Sequence, residues 1–208
     1  MAEKVNWQGT IIGVQPRIRL QRSFDERSHT YPRYVLHIDG TIDGEQRIFS
    51  IAIGKAAQAK HQFRVGDLVS GNAAPVADGR KESAEFYKAA RLKRLDHIEL
   101  ESTAPPWHTR APDLETYRER GRRRLAARTY KSKCQSCVWG CQMPVEIIVD
   151  HWNPSQKRYR SETFCYGPKS CAFYKAGPTR KVPGRRGMTW EEEDWVDEDA
   201  VAHRGDDE

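Results

Sequence analysis

Five cysteines, Cys134, Cys137, Cys141, Cys165 and Cys171, are the only ones in a chain of 208 residues, and all fall within one short stretch. They read Cys134-x2-Cys137-x3-Cys141 and then Cys165-x5-Cys171. Sulfur gathered this way suits one local task, the binding of a single inorganic centre by four thiolates. Cys134, Cys137, Cys165 and Cys171 are the predicted ligands, because Cys-x2-Cys is the common spacing for a tetrahedral, redox-inert zinc site. Cys141 is one thiol too many for such a site. It could replace Cys137, sit free in a core, or be one of four ligands to an iron–sulfur cluster such as 4Fe-4S, since clusters accept irregular spacings. Disulfides are the competing reading. They need an oxidising compartment, the thiol count is odd, and the opening Met-Ala-Glu-Lys-Val-Asn-Trp-Gln resembles no signal peptide. The expectation is a cytoplasmic protein with reduced cysteines and no membrane segment.

Between the two cysteine groups, residues 145–152 and 157–164 read as two strands joined by a turn at Asn153-Pro154-Ser155. A hairpin with a cysteine pair at each end resembles a zinc ribbon, with the departure that the second pair, Cys165-x5-Cys171, is wider than the ribbon pattern. The resemblance implies a small module that draws folding free energy from its metal.

The elements that must position this module lie before it. Alternating apolar residues predict strands over 10–20 (Ile12, Val14, Ile18 and Leu20 on one face), 33–39 (Tyr34, Leu36, Ile38) and 46–53 (Phe49, Ile51, Ile53). An alanine-rich helix over 54–62 follows, then strands entered at Val65-Gly-Asp-Leu-Val-Ser-Gly71 and over 86–95. Three strands, a short helix and two strands resemble the OB-fold, at the level of element order and over the first half of the chain. That resemblance implies oligonucleotide or oligosaccharide binding on the second and third strands and the loops beside them. The residues it nominates are Arg22, Phe24, Arg27, His29 and Tyr31 in the first loop, Arg33 and Arg47 on the sheet, and Arg80 and Lys81 in the last loop. Cations and aromatic rings together suit single-stranded DNA or RNA, which offers phosphates and stackable bases.

Proline-rich 102–112 reads as a linker, and Asp113 as the N-cap of a helix to about Arg128. Its thin apolar stripe and its arginines, Arg118, Arg122 and Arg123 among them, predict a phosphate-facing surface. The expected fold is mainly β with minor α. It comprises an OB-like five-stranded barrel (1–101), a linker and basic connector helix (102–130), a zinc-ribbon-like hairpin module (131–176), and a basic arm with an acidic tail (177–208).

Charge supports the nucleic-acid reading. From Glu191 onward ten acidic residues face a single arginine, a net −9, so with +6 on the whole chain residues 1–190 carry +15. A basic block of this size attracts polyanions through counterion release. The acidic end is expected either to fold back on that block as a self-inhibiting mimic or to bind a protein partner. No P-loop, dinucleotide fingerprint or HExxH is present. Alternation separates His151 from Glu146 and Asp150, which weakens a catalytic dyad, though His151 could replace a cysteine ligand. The expected function is non-catalytic nucleic-acid binding with a structural four-cysteine zinc site. An iron–sulfur protein with a redox or sensing role and a protein-interaction adaptor are the alternatives.

Overall fold

Glycine and bulges bend what would otherwise be a stiff ribbon. In the computed structural model, which describes residues 3–23, 27–100, 104–192 and 195–205, strand β1 (Val5–Arg22) is the longest element. Register shifts at Ile11/Gly13 and Arg17/Arg19 curl it, and it pairs antiparallel with β2 (Arg27–Ile42) over nearly its whole length. The first bulge also switches which residues face inward. Ile11, not Ile12, lies in the core beside Val14 and Ile18, so the uninterrupted alternation expected over 10–20 is corrected.

Strand β3 (Glu45–Ile53), helix α1 (Lys55–His61), β4 (Asp67–Pro75) and β5 (Phe86–His97) follow. β2 pairs with β3, β3 touches β5 in parallel at Ile51↔Phe86, β5 pairs with β4, and β4 returns to the N-terminal half of β1. The five strands therefore form a ring. Its interior holds Trp7, Ile11, Val14, Leu36, Ile38, Phe49, Ile51 and Val69, all at or below 3 % exposure. Gly9 and Gly40 lie where β1 and β2 close on each other, and a Cβ on Gly9 would stand 2.5 Å from the Asp39 carbonyl oxygen.

Helix α2 is capped as expected, Asp113 Oδ1 accepting from the Thr116 N–H at 2.9 Å, but it spans only Leu114–Arg120. Gly121, at φ +66°, ends it against the Ala200 carbonyl, a conformation that favours glycine. Arg123–Arg124 then form a two-residue strand, β6, and α3 (Ala127–Thr129) runs into a π-turn over Tyr130–Cys134. The helix expected to reach Arg128 is thus cut short, because Arg123 and Arg124 pair with Cys165 and Phe164.

The hairpin appears as β7 (Gly140–Ile148) and β8 (Lys157–Cys165), paired in register from Gly140↔Cys165 to Ile148↔Lys157. It does not stand apart. β7 pairs in parallel with β1 through Leu20↔Val145 to Arg22↔Ile147, and Met143, Val145, Ile147, Phe164 and Tyr166 share one apolar core with the ring. Among the described residues no helix is long and apolar enough to cross a membrane.

The basic arm and the acidic end that follows it are built into the body. β9 (Arg180–Pro183) pairs with β10 (Thr189–Glu192), and α4 (Trp195–Val201) follows. Val182, Val196 and Val201 are buried. Glu192, also buried, accepts from Arg22 at 3.1 Å and Arg27 at 2.8 Å, and Asp197 accepts from the Arg124 backbone N–H and Nε. The acidic end does fold back on basic residues, as interior ion pairs rather than as a detachable mimic. Burial pushes the Glu192 carboxyl up, but the charges of Arg22, Arg27 and Arg180 outweigh it and hold the group below its ordinary value of 4.5. A depressed folded-state pKa contributes stability above about pH 4.5 that is lost as the pH falls. Glu192→Gln leaves Arg22 buried beside an uncharged partner. It is expected to destabilise the fold by about 3 kcal/mol at neutral pH and to flatten the fall of Tm below pH 4.5, both read by thermal unfolding across pH.

Candidate metal centre and cationic edge

The cysteine turns are shaped by side chains that reach them from outside. Cys134 closes the π-turn, and the Cys137 N–H donates to the Cys134 carbonyl at 3.1 Å. Gln15, on β1 and 1 % exposed, directs its side-chain amide into this turn. Its Nε2 donates to the carbonyls of Cys134 (2.8 Å), Gln135 (3.1 Å) and Cys137 (2.9 Å), while its Oε1 accepts from the Tyr130 hydroxyl at 2.7 Å. Two amide hydrogens serve three acceptors, so one of them is shared. Tyr117 Oη donates to the Val138 carbonyl at 2.7 Å. With their carbonyls held outside, the backbone N–H groups of Trp139 and Trp107 donate to the Cys137 thiol.

The second turn is held by guanidinium groups. Arg120 Nε donates to the Tyr166 carbonyl at 2.8 Å, Arg123 Nη2 to Pro168 at 2.8 Å, and Arg204 Nη1 to Gly167 at 3.1 Å. The Gly167 N–H points the other way and donates to Cys165 Sγ at 3.4 Å. A Cys–x–Gly turn whose amide faces its own sulfur is suited to a thiolate, which gains from each N–H it accepts.

These two turns face each other. Cys134, Cys137 and Cys165 are buried in one cluster with Leu125 and Tyr130, and Cys171 is half-buried. Burial, with the neighbouring Cys165, Cys137 and Cys171 adding to it, raises the Cys134 thiol to about 12. Burial likewise raises Cys137 to about 11, with Cys165 and Cys171 adding to the shift. The four predicted ligands thus share one electrostatic neighbourhood, and all are free thiols. Among the described residues, no three His, Cys, Asp or Glu side chains are drawn in to metal-ligand spacing. Cys141 stands apart. It is fully buried in the main core, donates to the Pro16 carbonyl at 3.4 Å, and has its pKa raised by burial without any contribution from the other thiols. His151 lies at the hairpin tip beside Ile148. The imidazole at the first turn is His108, 3.1 Å from Ser136 Oγ.

The residues nominated for nucleic acid are not brought onto one surface. Arg22 is buried against Glu192, and Arg27 bonds to the same carboxylate. Arg123 is buried, with its guanidinium 3.8 Å from the Tyr174 ring centroid. His29 is held neutral, pushed down to about 3 by burial and by Arg122, Arg27 and Arg22. Tyr31 is half-buried with Arg118 over its ring, and Arg118 also pairs with Glu115. Arg122 lies over Phe164. Arg47 pairs with Glu85, and Arg80 and Lys81 pair with Asp78 while flanking Tyr159. Arg33 is exposed. Phe24 lies outside the described residues.

Unneutralised charge gathers instead on β5. Lys88, Arg91, Lys93 and Arg94 are all exposed, and among the described residues none forms an ion pair with a carboxylate. β5 is paired with β4 on one side and with β3 only at Phe86, so most of its other edge is open. The pattern Lys88-x2-Arg91-x-Lys93-Arg94 falls within the strand expected over 86–95. That its neighbours would leave it uncompensated is a property of the fold. Gln15 carried no sequence signal, since its partners lie about 120 residues away.

No protein-family model, curated protein or solved structure matches the chain.

Gln15→Leu leaves three turn carbonyls and the Tyr130 hydroxyl without their partner in a buried setting. The expected cost is about 3 kcal/mol, seen as a lowered Tm, with faster alkylation of Cys134 and Cys137 than in the parent chain. Unchanged thiol protection would show that the amide does not shape the turn.

Proposed function

We propose that this chain is a non-catalytic nucleic-acid-binding protein whose fold is tied together by a structural zinc ion. The observation that carries the reading is the exposed row Lys88, Arg91, Lys93 and Arg94 on β5, which has no carboxylate partners among the described residues. Cations on an open strand edge prevent edge-to-edge pairing, and the same row offers phosphates a line of unspent charge. Counterion release from a polyanion would supply the binding free energy. The order of the ring, β1-β2-β3-β5-β4 closing on β1 with α1 between β3 and β4, supports an OB-like reading of the first hundred residues. Barrels of that kind commonly hold oligonucleotides, although here the cationic row lies off the face of β2 and β3.

Zinc would be held by Cys134, Cys137, Cys165 and Cys171, where it supplies charge compensation for four thiolates and cross-links two distant turns. The donor set fits a closed, all-sulfur site. The N–H groups of Gly167 and Trp139 are already directed at Cys165 and Cys137, and the turn carbonyls are bound elsewhere. The sulfur atoms would draw together on binding. A ribbon-like module of this kind is a clamp on the fold rather than a reaction centre.

A fluorescein-labelled 20-mer of single-stranded DNA is expected to bind with a logarithmic affinity that falls linearly with the logarithm of salt. The slope should be about −0.7 per phosphate neutralised. Reversing the row (Lys88→Glu, Arg91→Glu, Lys93→Glu, Arg94→Glu) should remove most of that slope and weaken binding at low salt by at least about tenfold. Salt-independent or undetectable binding by the parent chain would contradict the proposal and favour a protein partner.

A further inference from the structure

An open groove of about 850 Å³ lies on the outside of the ring, where β1, β2, β4 and β5 meet. Its floor carries the amides of Gln8 and Asn72 and the hydroxyls of Thr10 and Ser70, and one wall carries Arg91 and Lys93. Three independent features mark the groove as built for a ligand.

The first is an orphaned polar atom. Asn72 lines the groove, and its Oδ1 is shielded from solvent with no hydrogen-bond partner. Buried polar atoms in folded proteins are nearly always paired, and exceptions call for an explanation. The second is backbone strain. Arg91 adopts φ +53° at a register shift between β4 and β5, as does Lys88 one bulge earlier. A non-glycine residue in the left-handed region is unfavourable, and bulges re-aim side chains beside functional sites. Here the bulge brings Arg91 to the groove wall. The third is charge. Among the described residues Arg91 and Lys93 have no carboxylate partner there, although Asp39 lines the same groove.

From these features we infer that the groove takes an unpaired stretch of polynucleotide, with phosphates on Arg91 and Lys93 and base edges on Gln8 and Asn72. The inference rests on the nucleic-acid reading above and adds where, and in what form, the ligand is read. A side-chain amide pairs a donor with an acceptor at the spacing of a base edge. Duplex bases are reached by an element that protrudes into a groove of the nucleic acid. This surface is concave, so only bases freed from pairing can enter it. No exposed aromatic face lines it, which sets it apart from a stacking platform and makes hydrogen bonding to base edges the source of selectivity.

The test uses the full chain and labelled 12-mers of dA, dC and dT, titrated by fluorescence anisotropy at several salt concentrations. The parent chain should prefer one base over the weakest by about tenfold. The double variant Gln8→Ala/Asn72→Ala should compress that spread to within about twofold while keeping the salt slope. Gln8→Ala alone, at an exposed site, guards against a folding defect and should compress it in part. Arg91→Gln/Lys93→Gln should weaken all three ligands alike and reduce the slope by about 1.4, two phosphates' worth. A parent chain without base preference, or an amide variant that keeps the full spread, overturns the groove while leaving the nucleic-acid reading intact. Absence of salt-dependent binding by the parent chain overturns both.

Discussion

One primary amide joins the two ends of this fold. Gln15 belongs to the longest strand of the ring, yet every hydrogen bond made by its side chain goes to the first cysteine turn or to the tyrosine that leads into it. The arrangement removes a cost that would otherwise fall on the turn. Its carbonyls are buried and lie outside any helix or ladder, and unpaired they would oppose folding. Bound to Gln15, they leave the turn free to direct its N–H groups at sulfur. Arg120, Arg123 and Arg204 do the same for the second turn, two of them from around α2 and one from beyond α4. The cysteine region therefore depends on the ring before it and on the tail behind it.

The same logic explains where the positive charge goes. A chain with 35 basic residues spends many of them inside. Arg22 meets Glu192, Arg124 meets Asp197, and Arg123 meets backbone carbonyls. Buried guanidinium groups of this kind need partners on every side, and the acidic end supplies two of the carboxylates. Among the described residues, the edge of β5 is one place where exposed cations, Lys88, Arg91, Lys93 and Arg94, meet no carboxylate and stay available to an external polyanion. Charge density in the sequence and charge available on the surface are different quantities, and the fold sorts one into the other.

Much of the strand layout was legible in the residues. Tyr34, Leu36 and Ile38, and then Phe49, Ile51 and Ile53, alternate in sequence and are buried in the structure. The hairpin was legible too, although its first strand runs Gly140–Ile148 and not 145–152, so its pairing with β8 ends at Ile148↔Lys157. Ile11 was misread, since a bulge changes the phase without marking itself in composition. Arg123 and Arg124 were read as helical because they follow the Asp113 N-cap within a thin apolar stripe, but pairing with β8 decides their state. The charge asymmetry pointed to an acidic end that folds back on basic residues, and the positions of Arg22 and Arg124 show where it docks. The four thiols were singled out by spacing alone. Their supports, Gln15 and Arg204, were invisible because nothing local distinguishes a buried glutamine or arginine from an exposed one.

The claim beneath the whole account is that Cys134, Cys137, Cys165 and Cys171 serve one ion. The most direct measurement is elemental analysis of the purified chain beside two single variants, Cys165→Ser and Cys141→Ser. One equivalent of zinc in the parent, lost in Cys165→Ser and kept in Cys141→Ser, is the result this account requires. Zinc absent from the parent, replaced by iron with labile sulfide, or released by Cys141→Ser, would contradict it.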